Sequence, residues 1–301
     1  MPRLCIRCSI RRLQFRLRTL IALVTACAVP CSWMAWRMEH KWQERAAVAA
    51  ICELGGHVQY DWENDAGQGT PHGSYWVRRL FGQDFCAQVV GVDLHACRRV
   101  SDADLLHLNV LRQLKSVRLS STSITDHGLA RLRGLSQLRC LSLRDTAING
   151  GGLAHLQPLA NLIEMDLSIT QVTDDGLAYL PRFPALKFLD LASTPITDAG
   201  LAHLGQLRDL VVLNLRVTRV TDTGLLSLKT LPVLHRLDLR HTQITDAGLV
   251  HLHSFPALNG VDLHGTSITE VGFDRLCKNL PGCDVSVSYK GDLPVLIFDY
   301  D

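Results

Sequence analysis

Aromatic residues are scarce in this chain: five Trp, five Tyr and eight Phe among 301 residues, or 6%. A core built mainly of aromatics is excluded, so the 47% hydrophobic content must act through aliphatic side chains. Net charge is nearly absent as well, at +2, but it is unevenly spread. Residues 1–45 hold nine Lys/Arg against two Glu, which leaves 22 basic and 27 acidic residues for the remainder. A mildly acidic body without a basic stripe excludes nucleic acid as the expected partner. There is no glycine-rich phosphate loop, no His-Glu-x-x-His and no nucleophile elbow. An enzyme is therefore not expected, nor a cofactor, nor a small-molecule substrate. Metal ligation fares no better. Cys5 and Cys8 form a lone Cys-x-x-Cys with no second pair. No acidic loop has calcium-binding spacing. His107, His155, His203 and His251 share a phase but fall on alternate turns, roughly 20 Å apart at about 10 Å per helix contact.

What is present is repetition. Thr125-Asp126-His127-Gly128-Leu129 returns as Thr173-Asp174-Asp175-Gly176-Leu177, then at Thr197, Thr221 and Thr245, at a step of 24 residues. Weaker copies stand in register at Ser101-Asp102, Asn149-Gly150 and Thr269-Glu270. After each phrase Leu recurs at helical spacing (Leu201, Leu204, Leu207), then at strand spacing (Leu213, Leu215). Each repeat is thus a short helix, a loop, a short strand and a return. The Thr or Asp opening the phrase suits a helix N-cap, and the Gly lets the helix approach its neighbour. The columns Leu132 to Leu276 and Leu119 to Leu263 are apolar at every step. No repeat can bury them alone; stacking buries them as one core. A Thr column from Thr122 to Thr266 places a hydroxyl at the bend after each strand, where backbone groups need partners.

A period in the twenties signals a leucine-rich repeat solenoid. The phrase Leu-x-x-Leu-x-Leu-x-x-Thr-x-Ile-Thr-Asp-x-Gly-Leu resembles the leucine-rich repeats of the GALA and F-box-associated, cysteine-containing subclasses, over about two thirds of the chain. The whole layout is also similar to bacterial membrane-anchored leucine-rich repeat proteins. The resemblance implies an α/β solenoid, right-handed and curved, with a parallel sheet on the concave face and short helices on the convex one. It implies protein binding. Some relatives are substrate receptors of ubiquitin ligases, but no F-box segment precedes the repeats here.

The organisation reads as a basic cytoplasmic tail (1–18), a transmembrane signal-anchor helix (19–36), a juxtamembrane helical stalk (37–56), an N-terminal cap (57–100), the repeats (101–288) and a C-terminal tail (289–301). Residues 19–36 are an uncharged run just long enough to span a bilayer, with Trp33 and Trp36 at its far end. Six Arg precede it, which places the repeats outside the cytoplasm. Cleavage at Ala26-Cys27-Ala28 or lipidation at Cys27 are the alternatives. In the cap, 57–62 and 86–94 read as strands and 75–81 as a helix, with Trp62, Trp76 and Phe81 as packing residues. In an exported protein Cys277 and Cys283 are the best-placed pair for a disulfide, with free thiols the default.

Residues between the core Leu of each strand point away from the core. One such column runs Arg118, Ser142, Asp166, Asp190, Asn214, Asp238, Asp262, and beside it run Ser120, Arg144, Ser168, Ala192, Arg216, Arg240, His264. The reading is an acidic stripe with an Arg stripe alongside, both at solvent. Arg144, Asp166, Asp190, Asn214, Arg216, Asp238, Arg240 and Asp262 are the candidate protein-binding residues. The alternatives are self-compensating surface charge, a ubiquitin-ligase-type adaptor and a purely structural envelope protein.

Overall fold

The computed structural model describes residues 28, 31–63, 75–82, 85–280 and 282–286. They fall into two compact units, Met1–Ala46 and Ala47–Asp301. In the first, residues 31–46 are helical, and Trp33, Trp36 and Trp42 are exposed. The Arg37 guanidinium lies 5.4 Å from the Trp33 ring centroid, and Lys41 pairs with Glu44 one turn on. The basic tail, the C-terminal tail and most of the segment read as membrane-spanning lie outside the described residues. Among the described residues no helix is long and apolar enough to cross a membrane.

The second unit is one sheet of ten strands in chain order. They are β1 His57–Tyr60, β2 Val89–Asp93, β3 Ser116–Arg118, β4 Cys140–Ser142, β5 Glu164–Asp166, β6 Phe188–Asp190, β7 Val212–Asn214, β8 Arg236–Asp238, β9 Gly260–Asp262 and β10 Asp284–Ser286. β1 pairs antiparallel with β2, and every later pair is parallel. The register steps by 25 residues from β2 to β3 and by 24 from there on, so Val92, Val117, Leu141, Met165, Leu189, Leu213, Leu237, Val261 and Val285 form one row. All but Val285 are buried, in one cluster with Leu129, Leu153, Leu177, Leu201, Leu225 and Leu249 from the helical side. Each such aliphatic side chain contributes about 1.5–3 kcal/mol by leaving water. Helices cover one face of the sheet in this way, and strand residues that alternate with the row form the open face.

Each strand ends the same way. The Thr column donates its hydroxyl to the carbonyl three residues back, from Thr122 to Leu119 through Thr266 to Leu263, at 2.5–2.6 Å. The residue before each Thr is left-handed. Ser121, Asp145, Ile169, Ser193, Val217 and His241 have φ of 53–56°, and Gly265 follows at +70°.

The Thr-Asp phrase does more than open its own helix. Thr125, Thr197, Thr221 and Thr245 accept the N–H two residues on, as expected of N-caps. The Asp reaches into the following repeat. Asp198 accepts from the Thr221 N–H at 2.8 Å and the Thr221 hydroxyl at 2.5 Å. Asp102, Asp174, Asp222 and Asp246 do the same for Thr125, Thr197, Thr245 and Thr269. A carboxylate ladder therefore stitches repeat to repeat, and the phrase glycine makes room for it. A Cβ on Gly224 would lie 2.3 Å from Asp198 Oδ1. Gly150 interrupts the ladder. It offers no carboxylate, and the Thr173 N–H falls back on the Asn149 carbonyl at 3.4 Å. That repeat has the 3-10 helix Gly151–Leu156, where the repeats at Thr125, Thr173, Thr197, Thr221 and Thr269 start an α-helix at the next residue.

Three expectations need correction. The stalk read over 37–56 is not all stalk: Ala47 and Ile51 are buried in the repeat core, and the helix ends at Gly55, with φ +91°. The helix over 75–81 forms, but Trp76 does not pack; it is 71% exposed, beside exposed Tyr75 and Leu80. Phe85, Ala87 and Val89 are the buried residues of this stretch, and Trp62 stacks on Tyr60 at 6.0 Å. The cap strands are shorter than read. The thiols of Cys277 and Cys283 are free, as in the default reading.

Candidate functional site

Three columns make up the open face. The first holds Ser116, Cys140, Glu164, Phe188, Val212, Arg236 and Gly260, each opening a strand. The second closes each strand, from Arg118 to Asp262. The third, from Ser120 to His264, lies two residues further on, at the bend.

The second column corrects the sequence reading most. Asp166, Asp190 and Asp238 do not stand at solvent; they are 1%, 1% and 3% exposed. Each carboxylate turns back onto its own bend and accepts the N–H two residues ahead. Ser168 donates to Asp166 at 2.9 Å, Ala192 to Asp190 at 2.8 Å and Arg240 to Asp238 at 2.9 Å. Asn214 accepts from Arg216 and Asp262 from His264 in the same way. Strand alternation gives the face a side chain starts on; it does not show that a short carboxylate will bend onto an orphan N–H.

The second oxygens are taken as well. The Ser142 hydroxyl donates to Asp166 at 3.1 Å, and Ser142 meets Ser120 at 2.7 Å. The Asn214 amide donates to Asp190 at 2.9 Å. Arg240 donates from Nε and Nη2 to Asp238, and its Nε lies 3.4 Å from Asp262. Arg144 donates to the Ser168 hydroxyl at 3.1 Å. Desolvation raises the Asp166 carboxyl above its ordinary range, against the bonds from Ser168 and Ser142. Desolvation also raises Asp262, with the Asp238 charge adding to it against the His264 N–H and Arg240. Burial, then the Glu164 carboxylate, pushes the Cys140 thiol up to about 12, so it stays protonated and is no nucleophile at neutral pH.

The ladder carboxylates behave in the opposite sense. Burial would raise Asp198, but the Thr221 hydroxyl and N–H, with Thr223 and Gly224, hold it below its ordinary value. A carboxylate depressed on folding contributes stability that is complete above its unfolded pKa and is lost as pH falls through the folded one. Asp198→Asn is therefore expected to lower the urea midpoint at neutral pH, with the gap to wild type narrowing below the usual carboxylate range. A gap of constant width across that range would rule the ionised cap out.

Of the candidate residues, the sheet brings Asp190, Asn214, Asp238 and Asp262 into adjacent positions, with Arg216 and Arg240 beside them. Asp166 is the next position, paired with Asp190, and Arg144 follows β4 one strand further on. Arg236 belongs with them and was missed; its stem lies over Gly260, 3.4 Å from where a Cβ would stand. The signal was a lone Arg in the strand-opening column next to a glycine. Ile169 and Val217 were also passed over as contacts. They are 41% and 45% exposed, and both are β-branched residues in the left-handed region. That conformation costs roughly 1–2 kcal/mol for a residue with a Cβ. Val217→Gly is expected to raise stability by about 1 kcal/mol, read as a higher urea midpoint; a lower midpoint would mean that the side chain packs.

A family model described as a leucine-rich repeat matches residues 184–205 and 230–252. No curated protein matches the chain at a significant level. Among solved structures, an internalin of Listeria monocytogenes is similar at 20% identity and TM-score 0.47, over 62% of this chain and 58% of the internalin. The chain thus aligns with little more than half of that protein. A second Listeria monocytogenes internalin is similar at 19% identity and TM-score 0.41, over 68% of this chain and 82% of its own. The parallel sheet, the apolar rows at a step of 24 residues and the matched segments together identify an α/β solenoid built of leucine-rich repeats.

Proposed function

We propose that this chain is a non-catalytic protein-binding module whose open sheet face receives the partner. The observation that carries the reading is the set of side chains offered on a rigid sheet. The carboxylates are folded into the bends, whereas Arg216, Ile169 and Val217 stand exposed at the bends and Arg236, half-buried, opens β8 on the same face. Guanidinium and apolar groups of this kind are common binding anchors, and a preformed sheet loses little entropy when it binds. We further propose that residues 19–36 hold the module to a membrane, with the repeats outside the cytoplasm. The basic tail and the uncharged run in the sequence support that part.

Crosslinking in intact membranes tests it, followed by affinity capture of the full chain beside an Arg216→Glu, Arg236→Glu variant. A partner captured by the wild type and lost by a variant with an unchanged melting profile supports the reading. The same partner held equally by both discards it. A reporter fused after Asp301 tests the orientation, which an active cytoplasmic reporter would overturn.

A further inference from the structure

The repeats of β7 and β8 differ at one informative position. In β8 the strand ends in Asp238, and Arg240 two residues on folds back to it through Nε and Nη2, at 2.9 and 2.5 Å. In β7 the strand ends in Asn214, and the equivalent cation is Arg216. Asn214 still caps the bend, accepting the Arg216 N–H at 3.0 Å, but it carries no charge to pair the guanidinium. Its amide is spent on Asp190. Arg216 is exposed, and among the described residues its guanidinium meets no carboxylate. The flanking carboxylates are occupied: Asp190 by the Ala192 N–H and the Asn214 amide, Asp238 by Arg240.

The surroundings suit a ligand. Ala192, the residue beside Arg216 in its column, is small and carries no charge to compete for the guanidinium. Val217 follows at once, exposed and left-handed. Phe188 and Val212 open β6 and β7 on the same face, four positions before the row of Arg216 or about 13 Å along the strand, and Arg236 opens β8 there as a second cation with no carboxylate partner among the described residues. A guanidinium beside apolar residues binds a carboxylate more strongly than one surrounded by water.

We propose that Arg216 is the carboxylate-receiving anchor of the open face, and that the partner is an acidic segment lying extended across the strands. This rests on the protein-binding reading above and specifies its chemistry. Asn214 is what keeps the anchor available, because an Asp there would pair Arg216 internally as Asp238 pairs Arg240.

The test uses the full chain and a labelled peptide of about twelve residues, which at about 3.3 Å per residue crosses the parallel strands. One peptide is glutamate with leucine at every third position, and its counterpart has lysine for glutamate. The glutamate peptide is expected to bind and the lysine peptide not to bind. Arg216→Gln is expected to weaken glutamate-peptide binding by about tenfold. Asn214→Asp, which keeps the arginine, is expected to weaken it comparably, while Arg133→Gln on the helical side leaves it unchanged. Melting profiles confirm that the variants are folded. Absence of glutamate-peptide binding, preference for the lysine peptide, or indifference to both Arg216→Gln and Asn214→Asp would overturn the proposal. The capture experiment decides the broader reading separately. A partner lost by the open-face variant, with peptides indifferent to Arg216, would leave a binding face whose anchor is not a carboxylate receptor.

Discussion

Gly224→Ala is expected to lower the stability of the array by about 2–3 kcal/mol, although it adds a single methyl group. The new Cβ would stand 2.3 Å from Asp198 Oδ1 and 2.9 Å from Leu201 Cδ1. The carboxylate can swing away, but it then gives up the Thr221 N–H, the Thr221 hydroxyl and the Thr223 hydroxyl. Asp198→Ala deletes the same bonds directly and is expected to cost about 2 kcal/mol. The two changes break one feature, so their effects overlap. The double variant is expected to fall short of the sum by at least about 1 kcal/mol, measured as urea midpoints in a double-mutant cycle. Strict additivity would show that the glycine serves the Leu201 contact and not the carboxylate.

Phe183→Ala is expected to have the larger effect, about 3–5 kcal/mol. Phe183 is fully buried in a column otherwise filled by Leu111, Leu135, Leu159, Leu207 and Leu231, with Phe255 at its far end. The column makes leucine look like the natural occupant, so Phe183→Leu is expected to cost only about 1 kcal/mol. Alanine leaves a void against which one sheet and one helical layer can settle only partly. Denaturant unfolding separates the variants. Equal losses for Leu and Ala would show that the neighbouring turn collapses into the space.

The parts of this fold that were legible in the sequence are those that repeat within one turn of the solenoid. Leu213 and Leu215 mark a strand, Leu201 and Leu204 mark a helix, and Thr218 marks the bend between them. What was not legible depends on the next turn. The step of 24 residues aligns Asp198 with Asp222, but an identical column does not say whether Asp198 caps its own helix or reaches forward to Thr221. The open face was misjudged for a related reason. Alternation assigns Asp166 and Asp190 to the correct side of the sheet, yet their oxygens belong to the bend. Asn214 was visible as a break in the acidic column. Its meaning lies in the fold of Arg240 onto Asp238, which Arg216 has no means to copy. Trp76 differs again: its size and its short helix suggest a core residue, but the helix turns it outward.

The gap at Gly150 gives the array a seam. On either side a carboxylate ties each helical turn to the next, Asp102, Asp174, Asp198, Asp222 and Asp246 on a Thr and Asp126 on the Asn149 and Gly152 N–H groups; at residue 150 that tie is replaced by one long backbone bond, and the strand-side backbone bonds alone continue unchanged. Under tension applied between the two ends, a chain of equal links has no reason to part at one place before another. This one does: the turns before residue 150 and those after residue 174 are expected to come apart as separate bodies, in two rupture steps. The protein then has a built-in order of yielding, and a load on it would free the early turns while the stretch carrying Arg216 stayed whole.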